Sequence, residues 1–272
     1  MSIALDAVFA RCKTEHRAAL VGYLPAGYPD QKASEKAVGD LARAGADIVE
    51  VGVPYSDPLM DGPVIQEAAD HALAGGFRFA HLLRCVQAVA DAGAVPVVMS
   101  YWNPVLRYGP DRFARDLAAA GGAGLITPDL IPDEAGAWTK AAAEHEVDPI
   151  FLIAPSSTDE RLSMTMSACR GFVYAASTMG VTGARAAVGG GAHVLVNRAR
   201  GVSNLPVCVG LGVSTADQAA ELATFADGVI VGSALVSALG ADPSGHRLTT
   251  LTSQLAEGVR RWSTSVPDER NT

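Results

Sequence analysis

Eight strand-like segments alternate with helical segments along the whole chain, and this alternation is the strongest constraint on its fold. The strand-like segments are rich in Val, Ile and Leu, and the Ala-rich segments between them show helical spacing. Eight β–α units without a linker or a break in composition predict a single (β/α)8 TIM barrel, with an open doubly wound sheet as the competing arrangement. The predicted strands are Ala19–Leu24, Asp47–Val53, Val95–Tyr101, Gly124–Thr127, Pro149–Ile153, Phe172–Ala176, Pro206–Gly210 and Gly228–Val231.

Two additions to this barrel are predicted. An amphipathic helix over Ser2–Glu15 precedes the first strand and is placed to close the bottom of the barrel. The interval after the second strand is the longest, so it has room for a loop over 54–63 and an additional helix at Val64–Leu73. Residues 1–262 then form one domain, and the polar tail over 263–272 is expected to be disordered.

Charge and composition argue against several kinds of partner. The net charge is −8 without a cluster of Lys or Arg, which argues against binding to nucleic acid or to an anionic membrane surface. No apolar segment reaches the ~18 residues of a membrane span, and the N-terminal segment lacks the basic region of a signal peptide. The four cysteines are isolated, and no histidine pair has a metal-ligand spacing. We therefore expect a cytoplasmic protein without a metal site.

The second predicted strand carries an acid that its pattern directs inward. Side chains alternate along a strand, so Ile48, Glu50 and Gly52 share one face and three valines share the other. If both faces are covered, an unpaired ionised carboxylate at Glu50 costs several kcal/mol. The following loop carries Asp57 and Asp61, at the position where α/β barrels place their chemistry. The alternative is that Glu50 forms a structural ion pair and both aspartates are solvated turn residues.

Glycine-bearing turns follow the last three predicted strands. Backbone N–H groups in such turns bind phosphate when a helix N-terminus lies behind them, and barrels commonly bind phosphate after strands seven and eight. Ordinary strand-ending turns are the alternative. The turns lie at Met179–Gly183, Gly210–Ser214 and Gly232–Ser233.

The glycine-rich residues 178–192 are typical of a lid over a binding site, because five glycines in this segment suit a core element poorly. An insertion without a role is the alternative. Thr182 and Arg185 are the candidates in this lid for contact with a ligand.

The aromatic and basic residues limit the reactions and substrates that we expect for this chain. Tyr23, Tyr101 and Tyr174 lie at or near strand ends, where they can form the wall of a pocket for a flat apolar substrate, although each one alone suits a core position. The only lysines, Lys13, Lys32, Lys36 and Lys140, fall in helical segments, so none is placed for a Schiff base. The reaction class that remains is acid–base catalysis by carboxylates on a phosphorylated substrate.

The stretch VEVGVPYSDPLMDGP at 49–63 closely resembles the signature of the tryptophan synthase α-subunit family. The resemblance covers nearly the whole chain. Its other motifs are LVGYLPAGYPD at 20–30, SYWNP at 100–104, GLITPDLIPDE at 124–134, STMGVTGAR at 177–185, VGLGVS at 209–214 and VGSALV at 231–236.

The resemblance implies a lyase of tryptophan biosynthesis that cleaves indole-3-glycerol phosphate to indole and glyceraldehyde 3-phosphate by a retro-aldol reaction. It implies that Glu50 is the acid–base group and that Asp61 is the second catalytic carboxylate. The residues matching the family's substrate contacts are Tyr23, Tyr101 and Tyr174 for indole, Thr182 in the lid, and Gly183, Gly212, Gly232 and Ser233 for phosphate.

The resemblance also implies a partner, a β-subunit in an α2β2 complex that receives indole through a tunnel. Pyridoxal phosphate is expected only in that partner, and this chain itself is expected to need no cofactor. Loops 54–59 and 128–132 are the expected contact surface, and docking is expected to order the first of them and raise activity.

Three departures from the family pattern affect pocket contacts and the lid: Met60, Thr178-Met179 and Leu211. Two alternatives stay open. One is another phosphate-binding barrel enzyme, such as an isomerase, and the other is a non-catalytic activating subunit.

Overall fold

The computed structural model describes residues 3–176, 190–210 and 212–261 of the chain. Within these ranges eight parallel strands pair in chain order, and the eighth strand pairs with the first to close a barrel. The predicted TIM barrel is therefore confirmed, and the open sheet is wrong. The strands are β1 (Ala19–Pro25), β2 (Ile48–Gly52), β3 (Val95–Met99), β4 (Gly124–Thr127), β5 (Asp148–Ile153), β6 (Val173–Ala176), β7 (Val207–Gly210) and β8 (Gly228–Val231).

Helices surround the barrel, and one short 3-10 turn lies at Pro132–Glu134. In the described part of the chain, no helix is both long enough and apolar enough to cross a membrane. The α-helices are α1 (Ile3–Thr14), α2 (Gln31–Arg43), α3 (Pro63–Ala74), α4 (Phe79–Asp91), α5 (Trp102–Tyr108), α6 (Pro110–Ala119), α7 (Gly136–Glu144), α8 (Asp159–Ala168), α9 (Gly190–Arg200), α10 (Ala216–Ala223), α11 (Ser233–Ala241) and α12 (His246–Arg260).

The two predicted additions are present. Helix α1 precedes β1, and helix α3 is inserted between β2 and α4. The sequence pattern does not predict α5, because its seven residues are too few to show helical spacing. The predicted tail over 263–272 lies outside the described residues, and the domain boundary at residue 262 stays a prediction.

Helix α1 closes the bottom of the barrel, because its apolar side chains pack among the inward-facing residues of the strands. Leu5, Val8, Phe9 and Cys12 form one buried cluster with the interior side chains of the strands. The rings of Phe9 and Phe172 lie 5.9 Å apart within this cluster. The lower end of the barrel is thus filled, and only its upper end, at the carboxyl ends of the strands, is available for a ligand.

Strand β2 is buried on both faces, as its hydrophobic pattern predicts. All five of its residues are buried. Val49 and Val51 belong to the cluster between the strands and the helices, whereas Ile48 belongs to the cluster inside the barrel. Alternation from Ile48 therefore directs Glu50 and Gly52 into the barrel interior.

Four free cysteines are buried at separate places in this framework, at Cys12, Cys85, Cys169 and Cys208. Burial raises the pKa of the Cys12 and Cys85 thiols to about 11 and that of Cys169 to about 12. The pKa of Cys208, which faces the barrel interior, is raised well above its usual value for the same reason.

A buried ion pair ties the segment after α1 to the start of β2. Arg17 donates to both carboxylate oxygens of Asp47, at 2.7 and 2.8 Å, and both side chains are only 4% exposed. Arg11 adds a bond of 2.8 Å, and the backbone N–H of Leu20 donates to Asp47 at 3.0 Å. Burial alone would raise the pKa of Asp47, but the hydrogen bonds from Arg17 and Leu20 outweigh it and hold this pKa below its usual value.

We expect Asp47→Ala to lower the free energy of unfolding by about 3–5 kcal/mol, because it leaves the Arg17 guanidinium buried without its main partner. Urea denaturation at pH 7 measures this change. Asp217→Ala is the matched control, since Asp217 pairs with Arg261 on the exposed surface, and it should cost less than about 1 kcal/mol. Equal losses in the two variants would contradict a special role for the buried pair.

Candidate active site

Glu50 carries a buried carboxyl group inside the barrel. Its side chain lies inside the barrel, the residue is 1% exposed, and neither carboxylate oxygen has a hydrogen-bond partner within the described ranges. Burial, followed by the nearby charge of Asp61, raises the pKa of Glu50 to about 8. The carboxyl is therefore mainly protonated at neutral pH. The alternative interpretation, a structural ion pair at Glu50, is wrong for the described residues.

Two tyrosine rings lie beside Glu50, and each occupies space that a glycine leaves open. Tyr23 pairs with Glu50 in register, and a Cβ atom on Gly52 would overlap the Tyr23 ring and hydroxyl. A Cβ atom on Gly210 would similarly overlap the ring of Tyr174. Sequence reasoning missed the role of Gly52 and assigned Gly210 only to a phosphate turn. The signal that could have indicated both is a strand-end glycine two residues beyond the residue that pairs with a tyrosine on the neighbouring strand.

The charges of Asp61 and Glu50 affect the pKa values of both tyrosines. Burial raises the pKa of Tyr23 and of Tyr174 well above the usual value, and the charges of Asp61 and Glu50 raise both further. These two predicted pocket residues therefore lie close to the predicted acids. Asp61 and Glu50 are likewise brought together, since the charge of Asp61 acts on Glu50.

Asp61 and Asp57 lie in the β2–α3 loop, residues 53–62, but have different surroundings. Asp57 is exposed and accepts a hydrogen bond of 2.6 Å from Ser56, so the solvated-turn interpretation holds for it. Asp61 is partly buried and accepts a bond of 3.1 Å from the hydroxyl of Tyr101. Burial raises the pKa of Asp61, and the Tyr101 hydrogen bond opposes that rise.

The third predicted pocket tyrosine, Tyr101, also contacts the β2–α3 loop. Its hydroxyl accepts hydrogen bonds from the backbone N–H groups of Leu59, at 3.0 Å, and Met60, at 2.9 Å. The side-chain amide of Gln66 donates to the backbone carbonyl of Asp61 at 2.8 Å. The loop that carries Asp61 is thus held by side chains from two other elements.

The turns after β7 and β8 lie at the same end of the barrel. Gly212 has a φ of +65°, which favours glycine, and a Cβ atom there would face open space. Gly232 is the N-cap of α11 and lies near the Tyr23 ring, so the first N–H groups of α11, from Ser233 onward, adjoin the pocket. These open backbone groups at a helix N-terminus suit an anion.

The last three residues of the predicted lid belong to a helix, and its role as a lid stays a prediction. Residues 190–192 of the predicted 178–192 lid form the first turn of α9. Ala192 is buried in the cluster between the strands and the helices. The predicted residues Thr182 and Gly183, together with Arg185, Thr178, Met179 and Leu211, lie outside the described residues.

One group of potential metal ligands occurs in the described ranges, and it is remote from the barrel interior. Asp111, Glu144 and His145 lie on and beside α6 and α7 with their ligand atoms within 4.8 Å of one another. The two acids are exposed, and His145 bonds to Asp111 at 2.9 Å. Exposed acids and a paired histidine need no ion, so we assign no metal site here.

The closed (β/α)8 barrel, with a buried carboxyl from β2, a second carboxyl from the following loop and a helix N-terminus at its mouth, places this chain among the α/β barrel proteins. A family model described as tryptophan synthase alpha chain matches residues 9–262. The chain belongs to the tryptophan synthase alpha chain family.

Bacterial relatives support this assignment. The tryptophan synthase alpha chain of Mycobacterium marinum is 62% identical over 258 residues, covering 94% of this chain and 95% of the relative. That of Nocardia farcinica is 62% identical over 252 residues, covering 93% of this chain and 94% of the relative.

Solved structures have the same fold. A structure of Mycobacterium tuberculosis tryptophan synthase has a TM-score of 0.89 and 61% identity, covering 94% of this chain and 98% of that one. Tryptophan synthase subunit alpha of Legionella pneumophila has a TM-score of 0.84 and 30% identity, covering 94% of this chain and 98% of that one. The fold is therefore shared by a structure with 30% identity as well as by one with 61% identity.

We expect Glu50→Gln to stabilise the fold at alkaline pH. The folded-state pKa of Glu50 is about 8 against an ordinary value of 4.5, so stability falls as the pH rises through this interval. The full loss is about 5 kcal/mol, and a neutral amide avoids it. Urea denaturation from pH 5 to 9 measures the slope, with Glu67→Gln on the exposed face of α3 as the control. Parallel slopes in wild type and Glu50→Gln would contradict the neutral buried acid.

Proposed function

We propose that this chain cleaves indole-3-glycerol phosphate to indole and glyceraldehyde 3-phosphate. The observation that carries the proposal is Glu50, a buried carboxyl without a hydrogen-bond partner in the described part of the chain, near the second carboxyl of Asp61. A retro-aldol cleavage of this substrate needs a proton donor for the ring and then a proton acceptor for the glycerol hydroxyl, and one carboxyl can serve as both in turn. A carboxyl with a pKa of about 8 suits both steps at neutral pH.

Proton transfer by Glu50 starts and completes the reaction. The neutral carboxyl donates its proton to C3 of the indole ring, which forms an indolenine cation and leaves Glu50 ionised. The carboxylate then takes the proton of the glycerol hydroxyl next to the ring. The electrons of the C3–carbon bond return to the ring as the hydroxyl becomes the aldehyde carbonyl. Indole and glyceraldehyde 3-phosphate leave, and Glu50 is neutral again.

Asp61 stabilises the cation between the two proton transfers. The positive charge on the ring extends to the ring nitrogen, and an ionised carboxylate beside its N–H lowers the energy of this intermediate. The hydrogen bond from Tyr101 favours the ionised form of Asp61. The raised pKa of Glu50 and the ionised Asp61 therefore support each other, since the negative charge of Asp61 keeps the proton on Glu50.

Substrate binding in this proposal uses the pocket and the open turns. The rings of Tyr23 and Tyr174 lie near both acids and contact the flat indole ring. Backbone N–H groups at Gly212, Gly232 and Ser233 bind the phosphate, supported by the free space at Gly212 and the helix N-terminus behind Gly232. Thr182 and Gly183 complete the proposed substrate contacts, and their roles rest on the family resemblance alone.

We also propose a β-subunit partner, in an α2β2 complex, that receives indole. Exposed apolar side chains on three loops or helices that follow β2, β3 and β4 support a docking surface at the barrel mouth. They are Leu59 at 77% exposed, Leu106 at 53% and Ile131 at 44%.

Pyridoxal phosphate belongs to the β-subunit in this proposal, and this chain needs no cofactor. All four lysines are exposed on helices, which supports a reaction here without a Schiff base. Four free cysteines support a reducing compartment, the cytoplasm.

Indole release from indole-3-glycerol phosphate tests the proposed reaction. Wild type should release indole, and Glu50→Gln should show no turnover above background while still binding the substrate, because an amide cannot transfer the proton. Calorimetric titration measures binding separately, and Glu67→Gln is the control for the substitution itself. Near-normal turnover in Glu50→Gln would exclude this mechanism, and no turnover in wild type with a β-subunit present would exclude the function.

The partner is tested by adding a tryptophan synthase β-subunit to the cleavage assay. The rate should rise, and Ile131→Glu should weaken this stimulation by at least tenfold in the β-subunit concentration required, because a charge enters the apolar docking surface. Met164→Glu is the matched control, since Met164 is 42% exposed on α8. An unchanged rate at saturating β-subunit would show that the coupling is absent.

A further inference from the structure

The hydroxyl of Tyr101 has no hydrogen-bonding capacity left for a substrate. A phenol offers one donor and two acceptor positions. The donor bonds to Asp61 Oδ1 at 3.1 Å, and the two acceptor positions take the backbone N–H groups of Leu59 and Met60 at 3.0 and 2.9 Å. All three partners belong to the β2–α3 loop. The hydroxyl is therefore directed at the loop that carries Asp61, even though the ring lies beside the pocket.

Tyr101 is itself held in place by contacts on both sides along the chain. The carboxylate of Asp129, which follows β4, accepts a hydrogen bond of 2.8 Å from the backbone N–H of Trp102. The hydroxyl of Ser100 donates to the backbone carbonyl of Tyr101 at 2.8 Å. Tyr101 is the N-cap of α5 without a side-chain cap of its own, so Asp129 provides the missing acceptor from another loop.

We propose that Tyr101 and Asp129 are positioning residues that fix the Asp61 carboxylate for catalysis. Asp129 holds the first turn of α5, this turn fixes the Tyr101 ring, and the Tyr101 hydroxyl holds three groups of the β2–α3 loop. The inference rests on the proposed function for its catalytic consequence, whereas the ordering of the loop does not depend on it.

The ionisation of Asp61 depends on this arrangement. The groups that face Asp61 are Glu50 from β2, Tyr23 from β1, Tyr174 from β6 and Tyr101 after β3. Of these, Tyr101 is the one that donates a hydrogen bond to Asp61 and lowers its pKa. Loss of the hydroxyl should therefore both displace the carboxylate and raise its pKa.

Tyr101→Phe tests the hydroxyl while keeping the ring. We expect kcat to fall by about 10–100-fold with KM within about threefold of wild type, because a carboxylate misplaced by an ångström loses catalysis more than binding. The acidic limb of the kcat/KM profile should move to higher pH. Tyr108→Phe is the matched control, because Tyr108 is the last residue of α5 and its hydroxyl donates to Asp116 of α6, at 2.7 Å, rather than to the β2–α3 loop.

Two substitutions at Asp129 test the hydrogen bond between the Trp102 N–H and the Asp129 carboxylate. Asp129→Ala removes the acceptor for the Trp102 N–H and should lower kcat about fivefold. Asp129→Asn retains a side-chain oxygen acceptor and should restore most of this loss. Equal losses in Ala and Asn, or a loss that appears only in KM, would overturn the positioning role of Asp129.

Limited proteolysis separates this inference from the proposed reaction. Chymotrypsin cleavage after Leu59, mapped by mass spectrometry, should be several-fold faster in Tyr101→Phe than in wild type and Tyr108→Phe. Faster cleavage without indole release by wild type would keep the loop role and reject the reaction. Unchanged cleavage together with unchanged kcat in Tyr101→Phe, in a variant with wild-type thermal stability, would overturn the inference.

Discussion

The constraint on which the rest of the structure depends is the burial of the Glu50 carboxyl, which has no hydrogen-bond partner among the described residues. Glu50 is kept neutral mainly by burial, because β2 is covered on both faces and α1 fills the lower barrel, and the charge of Asp61 adds to this effect. An open lower end would admit water and return the carboxyl to its ordinary acidity. The packing at the base of the barrel, beside the buried Arg17–Asp47 pair, therefore helps to keep Glu50 away from water.

Two glycines at the ends of strands leave space for two aromatic rings inside the barrel. Gly52 and Gly210 leave room for Tyr23 and Tyr174, so the rings come close to the acids without displacing them. The second acid, Asp61, reaches the same region from a loop, and its position depends on a hydroxyl at the start of α5. Strands thus fix one acid rigidly, whereas side-chain hydrogen bonds fix the other.

Much of the fold and part of the site could be predicted from the sequence, for physical reasons that differ between residues. Alternation along β2 sends Glu50 inward, because a period of two is a local property. The overlap between Gly52 and Tyr23, and the saturated hydroxyl of Tyr101, depend on distances between separate strands and loops, which no local pattern contains. The sequence pattern does not predict the first turn of α9, because its two glycines carry no side chain that could show helical spacing and have a low helix propensity.

The cysteines have a practical consequence for chemical labelling. Thiol reagents attack the ionised sulfur, and all four native thiols are enclosed and resist ionisation at neutral pH. A single cysteine introduced on the surface would therefore react with a maleimide dye far ahead of the native ones. The chain can carry one fluorophore at a chosen site without first removing its own sulfhydryls.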